Sequence, residues 1–324
     1  KKSPLTFTEA FSEALLKKAA EDHRIVAITA AMATGTGLAP FQDLYPDRFF
    51  DVGIAEQHAL TFASGLASAG LKPVVPIYST FIQRSVDQII HDTALQKLPV
   101  VICLDRAGVV GYDGETHQGV YDISLFRSVP DITILAPAGA EELRLMLSYA
   151  LDAKGPVIVR YPKAPCPSAA DKFDAPLEPG RGSYYHHTKE DILLISVGGL
   201  FEQTLSAHEI LWKENIRTDL YNPRFIKPID EDYLEKVLRP YSSVFCFEDG
   251  SEQGGIGEYI SAFVHKRRLN LSFFYKGVQD EFLSNASRDE LLAECGLDPK
   301  GISGFIKSRL MGQLRVLREN VSGT

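Results

Sequence analysis

Three strings in the first 120 residues hold most of the side chains able to do acid–base or recognition chemistry. Asp51-Val52-Gly53-Ile54-Ala55-Glu56-Gln57-His58 puts Glu56 at the head of a segment rich in Ala59, Ala63, Gly65, Ala67 and Ala69. Such a glutamate has two readings. It is a solvated first-turn acid favoured by the helix dipole, or a carboxyl buried where another helix or chain packs, trading a proton with a ligand nitrogen. In Tyr78-Ser79-Thr80-Phe81-Ile82-Gln83-Arg84, Thr80 has the chemistry of a helix cap, and Phe81 and Arg84 stand one turn apart on one face. A ring beside a guanidinium can stack on and hydrogen-bond a planar heterocycle. The plain alternative makes Phe81 core and Arg84 solvated.

The third string runs from Asp105-Arg106-Ala107-Gly108 through Asp113-Gly114-Glu115-Thr116-His117-Gln118-Gly119. It follows the apolar run Val100-Val101-Ile102-Cys103-Leu104, and its four glycines sit beside five ionisable residues. Long polar loops at a strand's carboxyl end commonly carry function. Arg106 could clamp a phosphate, while Asp113 and His117 could exchange protons or hold hydroxyls. Arg160, in Val159-Arg160-Tyr161-Pro162, is a further cation at a strand end; by itself it also fits a structural ion pair.

Other patterns are weaker. Gly35-Thr36-Gly37 and Gly254-Gly255-Ile256-Gly257 resemble phosphate-cradling turns but complete neither a Walker nor a dinucleotide fingerprint. No Gly-Asp-Gly with a suitably spaced asparagine occurs, the nearest string being Glu248-Asp249-Gly250. His186-His187 reads as a solvated pair rather than a metal site. Cys103, Cys166, Cys246 and Cys295 are far apart, which fits reduced thiols.

These residues need strand–helix junctions to hold them, because ligands in open α/β sheets gather at the carboxyl ends of strands. Thr6-Phe7-Thr8-Glu9 is a capping box, followed by Phe7, Phe11, Ala14, Leu15 and Ala19 at helical spacing. Ile25-Val26-Ala27-Ile28 is a buried-strand pattern. Further strands are expected at 49–52, 73–78, 99–105, 132–136 and 156–161, with helices at 56–69, 81–96 and 140–151. Prolines 162, 165, 167, 176 and 179, with Gly180 and Gly182, predict an extended, helix-free linker over 162–182. Beyond it, strands are expected at 192–197, 217–221, 244–248 and 271–275. Helices are expected at 201–214, 231–238, 256–264, 288–295 and 303–317, with 307–318 amphipathic. The expected fold is therefore α/β: two domains, residues 1–161 and 183–324, each a mostly parallel sheet with helices on both faces.

Length and composition agree. The 324 residues suit two α/β domains, and 45% hydrophobic with 23% charged residues is globular composition. With 34 basic against 42 acidic residues the formal charge is −8, which speaks against a nucleic-acid coat or an anionic membrane as partner. No apolar run reaches membrane-spanning length, the start carries no signal-type stretch, and a cytoplasmic location is expected. A chain beginning Lys1-Lys2 without methionine is expected of a fragment or a processed product.

Taken together, the three strings resemble the 1-deoxy-D-xylulose-5-phosphate synthase family of transketolase-like thiamine diphosphate enzymes. Arg224-Phe225-Ile226-Lys227-Pro228-Ile229-Asp230 and Gly254-Gly255-Ile256-Gly257 add to the likeness. The resemblance covers the carboxy-terminal half of the family protein, its pyrimidine-binding domain and transketolase C-terminal domain. It implies condensation of pyruvate with glyceraldehyde 3-phosphate, releasing carbon dioxide, in isoprenoid precursor synthesis. By the same resemblance Glu56 bonds the aminopyrimidine nitrogen of the cofactor, Phe81 stacks on that ring, and Arg84 lies beside it. Tyr78, Asp113 and His117 match substrate-side positions, His117 as proton partner; Arg106 and Arg160 match arginines for the substrate phosphate. A homodimer is implied, with the helix from Glu56 near its interface.

Gly277-Val278-Gln279-Asp280 departs from the family's usual string. An amino-terminal domain, which in the family binds the diphosphate and magnesium, has no counterpart in these residues. The chain by itself is expected to turn over little or nothing. Two rivals remain: the carboxy-terminal half of a split transketolase or the E1 β chain of a 2-oxo acid dehydrogenase, and a noncatalytic dimerisation module.

Overall fold

The computed structural model describes residues 4–322, with side chains through residue 312. The first half opens with α1 (Phe7–Glu21), whose capping box closes as the sequence predicts: Glu9 N–H donates to Thr6, and the Glu9 carboxylate accepts from the Thr6 N–H. There follow β1 (Ile25–Thr29), α2 (Ala39–Leu44), β2 (Phe49–Asp51), α3 (Glu56–Ser68) and β3 (Lys72–Tyr78). Then come α4 (Ser79–Ile82), α5 (Val86–Gln88), β4 (Val101–Asp105), α6 (Asp122–Phe126), β5 (Thr133–Leu135), α7 (Ala140–Asp152) and β6 (Val157–Arg160). The second half contains β7 (Ser183–His186), β8 (Ile192–Ser196), α8 (Phe201–Lys213), β9 (Asp219–Asn222), β10 (Phe225–Lys227) and α9 (Glu231–Leu238). It ends with β11 (Ser243–Ser251), α10 (Ile256–Lys266), β12 (Ser272–Val278), α11 (Arg288–Glu294) and α12 (Pro299–Ser322).

The first sheet has seven strands in the order β10-β5-β6-β4-β3-β1-β2, parallel except for β10. The second has five, β12-β11-β8-β9-β7, with only β7 antiparallel. All five residues of β1 and of β4 are buried, as strands covered on both faces must be. One face packs against α1 and α7 through Phe11, Leu15, Leu143 and Leu147; the other against α3 through Ala59, Leu60 and Ala63.

Three expectations need correction. The helix expected over 81–96 is four short pieces: α4, a 3₁₀ turn at Gln83–Ser85, α5, and a π-helical turn at Ile89–Ala94. Such irregular turns recur at functional sites, and this one leaves Arg84 free to reach Glu56. The 162–182 segment is no open spacer. A 3₁₀ turn at Ser168–Lys172 fits between Pro167 and Pro176, Phe173 is buried, and Cys166 N–H donates to Leu5 O at 2.7 Å. The third is Phe225–Lys227, which lies in the second half of the sequence yet forms the edge strand of the first sheet. Arg224 beside it donates to Glu142 of α7 at 2.6 Å, so a buried ion pair welds the halves. Part of the 307–318 face lies outside the described side chains; Lys307 within it bonds Glu214 at 3.0 Å.

Candidate functional site

β3 and β4 are neighbours in parallel register, with Tyr78 opposite Asp105. The segments after both strands therefore leave the sheet side by side at its carboxyl end. α3 begins there too, its first residue Glu56 only 2% exposed. Arg84, with a half-exposed side chain, brings Nη1 to 3.2 Å from Glu56 Oε2 and 3.4 Å from Oε1. Its guanidinium carbon also lies 5.8 Å from the Phe81 ring centre. The shared face read from the sequence is thus present, and the Glu56 carboxyl is buried rather than solvated.

An aromatic wall continues from Phe81. Tyr78 stacks on it at 5.6 Å and 15°, and the His117 ring meets its edge at 5.4 Å and 73°. Arg106 lies over the other part of the wall, 3.7 Å from the Tyr78 ring centre. Its Nη1 donates to Gly35 O at 2.8 Å and to Asp105 at 2.9 Å, while its buried Nε has no partner among the described residues. Burial pushes the Asp105 carboxyl up to about 6, against the pull of Arg106 and of the Thr8 hydroxyl. Burial likewise raises the Tyr78 phenol above its ordinary value. Gly35, discounted from sequence, is a wall of the site: a Cβ there would stand 1.9 Å from the Tyr78 hydroxyl.

The 108–119 loop closes at its neck by reciprocal hydrogen bonds between Gly108 and Gly119, 2.7 and 2.9 Å. The Gln118 amide staples its interior to both backbone groups of Val110. Thr80 is not a cap, since α4 begins one residue earlier; its hydroxyl donates to Thr116 O at 2.8 Å and ties helix to loop. Thr116 Oγ1 then sits 2.9 Å from His117 Nδ1. Asp113 extends from the same loop to pair with Lys163 at 2.8 Å.

Tyr78, Phe81, Arg84, Glu56, Arg106 and His117 are therefore one connected group, with Asp113 on the adjoining loop. Arg160 stands apart from this group, deep between the two sheets' loops and held by carboxylates. Only 2% exposed, it donates to Asp122 at 2.7 Å and Asp249 at 3.1 Å, the ion-pair geometry that the sequence also allowed. A more exposed cation, Lys163, 43% exposed, pairs with Asp113 on the loop. The signal for it was in the sequence: Pro162 ends the strand that buries Arg160 and turns the chain outward.

The second glycine string holds no external anion. Glu248 accepts from the Ile256 and Gly257 N–H groups at 3.1 and 2.8 Å, occupying the head of α10. His186, half-buried, lines a cleft with His208 and Trp212, while His187 is exposed and stacks on Tyr184; no cluster of three or more His, Cys, Asp or Glu fit for a metal occurs among the described residues. The four cysteines are free thiols. No helix among the described residues is long and apolar enough to cross a membrane.

A buried carboxyl, an aromatic wall and a polar loop meet at the carboxyl end of a parallel sheet, the place where open α/β folds take their ligands. The family model for the transketolase pyrimidine-binding domain matches residues 3–167, and that for the transketolase C-terminal domain residues 183–302. The chain belongs to the transketolase family. It is 50% identical over 319 residues to 1-deoxy-D-xylulose-5-phosphate synthase of Treponema pallidum, covering 97% of this chain and 51% of that protein. The corresponding protein of Lachnoclostridium phytofermentans is 42% identical, over 93% of this chain and 48% of its own length. The chain thus spans about half the length of the curated relatives it matches. Among solved structures, a split-gene transketolase in the form of an inactive β4 tetramer superposes with a TM-score of 0.84 at 27% identity. That match covers 95% of this chain and 99% of the other.

Proposed function

We propose that the chain supplies the pyrimidine-side half of the active site of a thiamine diphosphate-dependent 1-deoxy-D-xylulose-5-phosphate synthase. Such an enzyme joins pyruvate to glyceraldehyde 3-phosphate and releases carbon dioxide. The observation that carries the reading is the buried Glu56 carboxylate at the head of α3, bracketed by Arg84 and the Phe81 ring. These are the parts a planar aminopyrimidine needs: an apolar face to stack on and a carboxyl at its edge to share a proton. The bound cofactor would supply the electron sink for pyruvate decarboxylation.

In this reading Glu56 holds the proton at the pyrimidine nitrogen, Arg84 orients Glu56, and Phe81 presents its face to the ring. His117 moves a proton at the acceptor's carbonyl oxygen, Asp113 holds a substrate hydroxyl, and Tyr78 supports Phe81 and Arg106. Arg106 and Lys163 receive the phosphate, Lys163 replacing Arg160 in that role. The diphosphate and magnesium fall to an amino-terminal diphosphate-binding domain, fused or separate. A cytoplasmic homodimer packed along α3 completes the reading.

The test adds a diphosphate-binding half to this chain and follows pyruvate and glyceraldehyde 3-phosphate by mass spectrometry. Deoxyxylulose phosphate is expected from the pair, with little or none from the chain by itself. The match along 99% of the split-gene transketolase chain favours a second reading, the carboxy-terminal half of a split transketolase. Ketol transfer between sugar phosphates, with no product from pyruvate, would select it.

A further inference from the structure

The 108–119 loop presents Asp113 and His117 on one side, and on the other it leans against the second domain. Four of its twelve residues are glycine, which leaves the backbone much freedom to lose on ordering. The contacts that hold it from behind are made to backbone rather than to side chains. Arg288, the first residue of α11, donates from Nε to Val109 O at 3.2 Å. Its Nη2 donates to Gly199 O at 3.2 Å, so the same guanidinium is anchored in its own domain. Tyr112 N–H donates to Ala286 O at 2.8 Å, two residues before Arg288. A Cβ on Gly111 would lie 2.4 Å from the Arg288 nitrogen, so loop and helix start are in direct apposition.

Beneath them is a balanced buried set of charges. Asp249 of β11 lies 3.7 Å from Arg288 and 3.1 Å from Arg160, which in turn pairs with Asp122. A Cβ on Gly108 would come within 2.2 Å of Asp249 Oδ2, so the neck of the loop rests on that carboxylate. Ser251 N–H donates to Val120 O at 2.7 Å and fixes the chain just past the neck.

We propose that Arg288 is a positioning residue of the site: from the second domain it sets the backbone on which Asp113 and His117 stand. Without its guanidinium the Val109 carbonyl, on a residue 1% exposed, loses its donor, and Asp249 keeps only one cation. The glycine-rich loop then keeps its neck, the Gln118 staple and the Tyr112–Ala286 backbone bond but loses its side-chain anchor at the rear. The inference rests on the proposed function only in taking Asp113 and His117 as site residues.

Amide hydrogen exchange on this chain tests it first. In Arg288→Ala the amides of residues 109–119 should exchange roughly ten-fold faster or more, while those of β8 and β11 keep wild-type protection. Arg288→Lys, which retains a cation beside Asp249, should recover part of the loss. Wild-type exchange in the loop, or an equal rise throughout the second domain, overturns the proposal. Gly111→Ala decides the matter should Arg288→Ala unfold, because its methyl group pushes loop from α11 without touching the charges. It must loosen the same amides, and unchanged exchange there also overturns the proposal.

The second readout uses the chain complemented by a diphosphate-binding half. Arg288→Ala should raise KM for glyceraldehyde 3-phosphate several-fold, with cofactor affinity unchanged and partial restoration by Arg288→Lys. An unchanged KM, or equal loss of cofactor affinity, counts against positioning. If the complemented wild type makes no deoxyxylulose phosphate, the functional reading fails while the exchange result still judges Arg288.

Discussion

The Arg84 guanidinium stands 3.2 Å from a Glu56 carboxylate that is sealed from solvent, while Arg84 itself is half exposed. The pair is thus asymmetric: the acid is fixed by its helix, and the base can swing away to admit a ligand at the carboxyl edge. Glu56→Gln keeps the shape and one acceptor but can neither give nor take a proton. Turnover of the complemented enzyme should fall about 10²–10⁴-fold, the usual worth of a positioned proton donor or acceptor. Thermal melting should be nearly unchanged. A Glu56→Gln enzyme retaining a tenth of wild-type turnover would remove Glu56 from the chemistry.

Arg160 and Lys163 are three residues apart and should behave oppositely. Lys163→Ala removes an exposed cation whose ion pair with Asp113 contributes little to stability, about 0–1 kcal/mol. It should leave the melting temperature alone and raise KM for the phosphorylated acceptor. Arg160→Met strands Asp122 and Asp249 without their shared cation and should cost about 3–5 kcal/mol of stability. Denaturant unfolding and steady-state kinetics on both variants separate the roles. A stable Arg160→Met with a KM defect would return the phosphate to Arg160.

Much of this site can be read from the chain because the chemistry sits beside the punctuation. Glu56, Phe81, Arg84, Arg106, Asp113 and His117 all follow strands whose apolar runs are plain, and each lies beyond the carboxyl end of the strand that the sequence assigns it. Depth is harder to read than position. Pro162 marks where the chain turns outward toward Lys163, but the burial of Arg160 depends on Asp122 and Asp249, 38 and 89 residues away, which no local pattern shows. The glycines behave likewise. Gly35 matters because Tyr78, 43 residues on, presses against it, and Gly255 because Glu248 fills the turn that a phosphate could have taken. The edge strand Phe225–Lys227 escapes notice because three residues carry no period, and its partner Thr133–Leu135 is about 90 residues away.

Gly35 and Tyr78 give a test of that long-range contact. A methyl group at Gly35 would stand 1.9 Å from the Tyr78 hydroxyl and 3.0 Å from its ring carbon, so the ring must move. Moving it disturbs the stack on Phe81 and the guanidinium of Arg106 together. Gly35→Ala should lower turnover at least ten-fold and destabilise the fold by about 1–3 kcal/mol, as overpacking does. Tyr78→Phe removes the worst contact, so in the double variant part of both losses should return. The coupling is read from a double-mutant cycle. Strictly additive effects would mean that the ring does not bear on Gly35 in solution.

Glu248 makes the stability of the second domain depend on pH. Burial pushes its carboxyl up from an ordinary 4.5 to about 7, although the Gly257 and Ile256 N–H groups and Arg160 favour the ionised form. Because the folded value lies above the unfolded one, the folded state binds more protons between about 4.5 and 7. This group's contribution to stability is therefore complete below about 4.5 and is lost as pH rises through about 7. Glu248→Gln keeps an oxygen for the head of α10 and has no charge to bury. The difference in unfolding free energy between variant and wild type should shift toward the variant by on the order of 2–3 kcal/mol from about pH 4.5 to about pH 8. Urea unfolding of both proteins across that range measures it, and taking the difference cancels every other titrating group. A difference that stays flat with pH would mean that Glu248 is ionised throughout, held by the two N–H groups and Arg160 despite its burial.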